Sequence, residues 1–277
     1  MNYRHAFHAG NFADLVKHAG LLLLLEALQA VEGRLNIVDT HAGAGGYDLE
    51  GELSRRTGEA AQGIFRLMAD PSAPAGFDEL KAAVRAGNPE GEVRFYPGSP
   101  SLIGARLRPD DRYTACEVRD DDLALLRQTL APWRQAQAQA VQADGYETAV
   151  AEASPAKGAA FVLIDPPFER PDDYRRIAET LAAVRRRNST AVIAAWLPLK
   201  DLETFDGFLR EVEPTAPDAL VAECRLRALD NPMKMNGCAL LIAGAPAGLE
   251  EPLGEVCAWV AGLGEGAGRG RAWRLDS

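Results

Sequence analysis

The chain has 277 residues, 47% of them apolar, with 40 acidic and 30 basic side chains and a formal net charge of −10. That composition excludes a disordered, fibrous or disulfide-stapled chain, and the length supports a core large enough for one α/β domain without metals or bridges. A net-acidic surface repels phosphate at long range, so the total charge by itself argues against a polyanion partner.

In chain order, Asn11 is placed to cap a helix over 12–31, a stretch rich in Leu and Ala and free of proline. Its leucine run, 21–25, is bounded by His18 and Glu26 and is too short to span a bilayer. The polar start, Met1-Asn2-Tyr3-Arg4-His5, carries no cleavage signal, and we expect a cytoplasmic protein with no membrane contact. Cys116, Cys224, Cys238 and Cys257 form no C-x-x-C pair, which points to a reducing compartment and away from zinc. Gly33 ends the helix, and 35–39 reads as a short strand running into His41-Ala42-Gly43-Ala44-Gly45-Gly46.

From about residue 50 to 92 the chain is charged and broken by Pro71 and Pro74, with helical apolar spacing over 61–68 and 77–84. We read 50–92 as a small helical subdomain inserted into a single domain spanning 1–277. Strands follow at 113–117, 138–143, 160–165 and 190–196, separated by helices at 121–130, 146–152 and 173–186. Near-continuous apolar strands alternating with helices require a sheet covered on both faces. The expected fold is therefore α/β and Rossmann-like, with a mostly parallel sheet. Residues 220–228 and 238–243 read as a terminal antiparallel pair, and the Gly-rich stretch 262–270 as flexible.

Three features carry chemistry. The loop Asp39-Thr-His-Ala-Gly43-Ala-Gly45 after the first strand lets a ligand approach backbone amides, although an ordinary strand-to-helix turn has the same look. Glu117 and Asp144-Gly145 close later strands, where an acid holds ribose hydroxyls or an adenine amine, or simply caps a helix. The sharpest feature is Phe161-Val-Leu-Ile-Asp165-Pro166-Pro167-Phe168. Two prolines hold the backbone extended, so that Asp165 and the Pro166 carbonyl can accept both hydrogens of an exocyclic amine while Phe168 stacks on the base. All four histidines (His5, His8, His18, His41) fall in the first 41 residues. With Tyr3, Arg4 and Lys17 they suggest a polar, partly cationic border. No carboxylate or thiol at a familiar metal spacing accompanies them, and we expect no metal.

Taken together these residues resemble the class I S-adenosylmethionine-dependent methyltransferases that act on exocyclic adenine amines. Among these the chain is most similar to the bacterial RlmJ family of 23S rRNA adenine-N6 methyltransferases. The matching segments are Tyr3-Arg4-His5-x-Phe7-His8-Ala9-Gly10-Asn11-x-Ala13-Asp14, Lys17-His18, the loop from Asp39 to Gly45, Arg56-Thr57-Gly58-Glu59, Tyr96-Pro97-Gly98-Ser99-Pro100, Glu117, Ala143-Asp144-Gly145 and Ile164-Asp165-Pro166-Pro167. The resemblance implies a seven-stranded sheet. It also implies an S-adenosylmethionine pocket lined by His18, His41, Ser99, Glu117, Asp144, Gly145 and Asp165, with Asp165 as catalytic proton acceptor. It places Tyr3, His5 and Lys17 near the substrate, 23S rRNA that is free or partly assembled, acted on by a monomer. Phe168 departs from the usual tyrosine, keeping the ring face and losing the hydroxyl.

Three other functions compete: methylation of a protein glutamine amide or of DNA adenine, and an inactive RNA-binding module. A nicotinamide dehydrogenase is disfavoured because Asp48 stands where G-x-G-x-x-G needs its third glycine. Of the 30 basic residues 25 are arginine, several of them grouped: Arg55-Arg56, Arg175-Arg176, Arg185-Arg186-Arg187, and Arg225 with Arg227. Arg4, Lys17, Arg55 and Arg56 are the expected positive rim, which would make RNA binding selective, weak and salt-sensitive.

Overall fold

A computed structural model describes residues 7–51, 57–229, 231–264, 266 and 268–275. Helix α1 (Phe12–Val31) begins where Asn11 accepts the N–H groups of Ala13 and Asp14, and it is buried along most of its length. Strand β1 (Leu35–Asp39) follows, and every one of its residues is buried, as expected of a strand covered on both faces. Two short strands, β2 (Gly46–Asp48) and β3 (Phe95–Pro97), pair antiparallel with each other. Between them lie α2 (Glu59–Gln62), α3 (Ile64–Ala69) and α4 (Asp78–Gly87).

The remainder alternates as the sequence suggests. It runs α5 (Ser99–Arg106), β4 (Arg112–Cys116), α6 (Asp120–Thr129), β5 (Ala138–Val141), α7 (Gly145–Glu152), β6 (Ala159–Ile164) and α8 (Asp173–Arg187). Then come β7 (Val192–Leu199), α9 (Leu202–Val212), β8 (Leu220–Arg225), β9 (Gly237–Ala243), α10 (Glu250–Ala261) and β10 (Arg269–Arg274). The main sheet has the order β10-β8-β9-β7-β6-β1-β4-β5. Strands β5, β4, β1, β6 and β7 run parallel; β9, β8 and β10 add antiparallel pairings. One apolar layer packs α1 and α10 against the sheet, and the other packs α7, α8 and α9 on the opposite face.

The sheet has eight strands among the described residues, one more than expected. The extra strand is β10, whose first two residues fall in the stretch read as flexible. Its conformation depends on its neighbours: it pairs with β8 from Arg269↔Arg225 to Arg274↔Leu220, and a Cβ on Gly270 would lie 2.0 Å from the backbone of Cys257. Glycine is what lets this edge strand press against α10.

Strand order reverses at β1, which lies between β4 and β6. In such sheets the crevice beyond the carboxyl ends of the strands at the reversal is where ligands bind.

Candidate active site

That crevice is a cavity of about 450 Å³. Every described residue that the sequence nominates lines it: Lys17 and His18 from α1, His41 after β1, Ser99 after β3, Glu117 after β4, Asp144 and Gly145 after β5, and Asp165 and Phe168 after β6. Residues scattered over 150 positions meet because each sits at the carboxyl end of a strand or on the helix laid across those ends. Tyr3 and His5, like Arg4, Arg55 and Arg56, lie outside the described residues.

The charge pattern centres on Lys17. Lys17 is 5% exposed, and its ammonium lies 2.6 Å from Asp165 Oδ2 and 3.0 Å from Asp14 Oδ1. Lys17 is therefore not part of a surface rim as expected from the sequence, but a buried cation shared by two carboxylates. Asp14 in turn accepts the Gly10 N–H at 2.9 Å, which ties the segment before α1 to this cluster. Asp14 escaped the sequence reading as a site residue, although its place three residues before Lys17 and four before His18 is the signal that puts all three on neighbouring turns.

Behind this cluster Asp39 is fully buried and accepts the Ser99 hydroxyl at 2.7 Å and the Tyr113 hydroxyl at 3.2 Å. Burial pushes its carboxyl up to about 6. His41 shares a 2.7 Å hydrogen bond with Thr40 Oγ1 and meets the Tyr146 ring edge-on at 4.9 Å. Burial lowers its imidazole to about 4, so it is neutral at physiological pH. His18 Nδ1 shares a 2.7 Å hydrogen bond with the Tyr96 hydroxyl, and His8 pairs with Glu59 at 2.9 Å. The three described histidines thus serve separate partners. Among the described residues no group of three or more His, Cys, Asp or Glu side chains is arranged to hold a metal ion.

At the opposite end of the crevice, Glu117 Oε2 accepts the Gly43 N–H at 3.1 Å and Oε1 the Arg119 N–H at 2.8 Å; burial raises its carboxyl. Asp144 caps α7, with Oδ1 accepting from Tyr146 and Glu147, while Oδ2 takes Arg176 Nη2 at 2.8 Å. Burial alone would raise its carboxyl, but Arg176 and the two N–H bonds outweigh that and hold it below the usual carboxylate range. The Arg176 guanidinium also lies 4.2 Å above the Tyr146 ring. The sequence offers Arg176 only as half of an arginine pair, because its partners, Asp144 and Tyr146, come from the start of α7.

Close approach of backbones shapes the loop. Gly43 and Gly45 have φ of +64° and +84°, and a Cβ on Gly145 would lie 2.0 Å from the Thr40 carbonyl oxygen. Phe168 also takes a left-handed φ of +51°, which is uncommon for an aromatic residue and marks a locally held conformation. Its ring packs at 5.1 Å against Tyr174 and 5.7 Å against Trp196, in an aromatic cluster bordering the cavity. Trp196, at the carboxyl half of β7, was within reach of the strand-end rule but was not singled out.

A doubly wound sheet with this strand order, an acid at the end of three successive strands and a glycine loop after the first defines a class I methyltransferase. A family model described as "Ribosomal RNA large subunit methyltransferase D, RlmJ" matches residues 32–275. The chain is 31% identical to ribosomal RNA large subunit methyltransferase J of Escherichia coli K12, over 98% of this chain and 97% of that protein. It is 30% identical to the protein of the same name from Haemophilus influenzae Rd, over 92% of this chain and 91% of that one. A crystal structure of a Legionella pneumophila protein superposes with a TM-score of 0.88 at 26% identity, covering 96% of this chain and 98% of that one. The chain belongs to the RlmJ family.

Proposed function

We propose that this protein transfers a methyl group from S-adenosylmethionine to the N6 amine of one adenine in 23S rRNA, in the cytoplasm and as a monomer. The observation that carries this reading is the convergence of Glu117, Asp144 and Asp165 on one cavity in a chain of this family. The cavity lies within the range of small-molecule sites, and its donors and acceptors suit the cofactor. Glu117 would hold the ribose hydroxyls, Asp144 the adenine amine, and the Gly43–Gly45 turn would admit the cofactor close to the backbone; His18, His41, Ser99 and Gly145 would complete the wall. When bound, the cofactor supplies an electrophilic sulfonium methyl group.

The chain's own residues align the amine and stabilise the charge that develops on it. Asp165 and the Pro166 carbonyl accept its two hydrogens, aiming the nitrogen lone pair at the methyl carbon, and Asp165 receives the proton lost after transfer. Lys17 bonds Asp165 through Oδ2, which leaves Oδ1 as the acceptor for the incoming amine. Orientation and preset acceptors are the main sources of acceleration in such a transfer. Phe168 offers a ring face to the base, and Tyr3 and His5 would contact the RNA. Residues 50–92 would act as a subdomain supporting that side, because Glu59 binds both His8 and Asn11.

Tritiated-methyl transfer from S-adenosylmethionine to naked 23S rRNA, assembled subunits, DNA and total protein tests the reading in one experiment. Labelling confined to rRNA and digesting to N6-methyladenosine is expected. Asp165→Ala should reduce transfer by roughly two to three orders of magnitude while the fold is kept, and label in protein or DNA alone would overturn the assignment.

A further inference from the structure

Among the arginine groups, one is paired with acids and another stands at the far edge of the sheet from the crevice. Arg175 pairs with Glu179 and Asp172. Arg185 to Arg187 end α8 at the amino edge of the sheet, with Arg185 bonded to the Ala191 carbonyl. Arg225 and Arg227 differ. Strand β7 ends at the cavity, β9 begins beside that end (Leu199↔Gly237), β8 finishes there (Arg225↔Gly237) and β10 starts there (Arg269↔Arg225). Arg225, Arg227 and Arg269 therefore stand on the same edge of the sheet as the catalytic crevice. Lys200 lines the cavity, and Lys234 lies on the connection between β8 and β9; both are exposed. We infer that Lys200, Lys234, Arg227, Arg269, Arg225 and Arg271 form a basic track that binds the phosphate backbone of the RNA flanking the target adenine.

Three observations support the track. First, Arg225 and Arg269 are directly opposed across an antiparallel pair, and like charges so placed are destabilising, so packing alone does not favour them. Second, two described acids near the track are engaged by other groups. Glu223, 1% exposed, takes both Arg225 and Arg271, and Asp201 caps α9 through the Thr204 N–H at 2.8 Å. Arg227 and Arg269 are exposed and have no acidic partner among the described residues. Third, the described residues of the connection are tied down: Asn236 donates to the Lys200 and Asn231 carbonyls at 2.8 Å each and accepts the Leu226 N–H through its own carbonyl at 2.9 Å. Adjacent strands lie about 4.8 Å apart, so the track runs roughly 14 Å from the β7 end to β10, a span of a few nucleotides.

This inference rests on the reading of the chain as an rRNA methyltransferase, and the test separates the two. The dissociation constant of the full-length protein for an in vitro transcribed 23S rRNA fragment that it methylates is measured across a salt series, for the wild type, Arg227→Gln/Arg269→Gln and Arg186→Gln/Arg187→Gln. The first variant should bind more weakly, with the slope of log affinity against log salt smaller by about one and a half to two, as expected for two lost phosphate contacts. Its cofactor affinity, measured by calorimetry, should match the wild type and show that it is folded. The variant at the amino edge should leave the slope unchanged. An unchanged slope in Arg227→Gln/Arg269→Gln, or an equal loss in both variants, overturns the track while leaving the methyltransferase reading intact. Absence of any rRNA methylation by the wild type overturns both.

Discussion

Asp39 ionises inside the fold under opposing influences: burial raises its carboxyl, the Ser99 and Tyr113 hydroxyls lower it, and Asp165 raises it further. Its folded value, about 6, lies above the 3.8 of an unperturbed aspartate, so the folded state favours the protonated form. The stabilisation this gives is fully present below about pH 4 and is lost as pH rises through about 6. The full difference corresponds to about 3 kcal/mol. Asp39→Asn should remove that dependence, so that the urea midpoint of the variant relative to wild type rises between pH 4 and pH 7; a constant difference would refute the ionisation. Glu117, Asp144 and Asp165 were legible in the sequence because an acid directly after an apolar strand is a local pattern. Asp14 and Trp196 carry no such local pattern, and Arg176 stands out only as half of an arginine pair, since their roles depend on partners from other elements.

At the scale of elements, α1 forms over the range its leucine and alanine content predicts, from the Asn11 cap onward. The strands that flank the crevice were also legible, each within a few residues, because burial on both faces leaves a continuous apolar run. Helices α5, α9 and α10 and the short strands β2 and β3 were not assigned. A three-residue strand has no periodicity to read, and β10 exists only through its pairing with β8. Glycine has opposite meanings on two helices. In α7, Gly145→Ala would drive a Cβ to 2.0 Å from the Thr40 carbonyl oxygen and should cost about 1–3 kcal/mol in urea unfolding. In α9, Gly207 faces open space, and Gly207→Ala should stabilise by about 0.5–1 kcal/mol.

For the whole molecule, the net charge of −10 does not describe the surface that RNA would meet. Basic residues of β8 and β10 gather at the carboxyl edge of the sheet, where the crevice opens, whereas the Arg175 pair with Glu179 at the start of α8 neutralises charge on another part of that edge. A local field of this kind steers a polyanion even on an acidic body, with a strong dependence on salt. Occupation of the crevice should also be visible globally. S-adenosylmethionine at one hundred times its dissociation constant adds about 2.7 kcal/mol of stability, which in a chain of this size raises the melting temperature by roughly 5–10 °C. Nicotinamide dinucleotide at the same concentration should leave it unchanged; the reverse result would reassign the crevice. No described helix is long and apolar enough to cross a membrane.

The sequence by itself determined the fold class, the order of the central elements and the acids at the strand ends, because these follow from patterns a few residues long: apolar runs, a glycine turn, an acid before two prolines. Only the tertiary structure decided that Lys17 is a buried cation between Asp14 and Asp165 rather than a surface contact. It alone drew the last two residues of the glycine-rich stretch into a strand and joined Arg225 and Arg269 on the edge that carries the crevice. Those outcomes depend on which strands become neighbours in space, and sheet order is set by packing between segments up to two hundred residues apart.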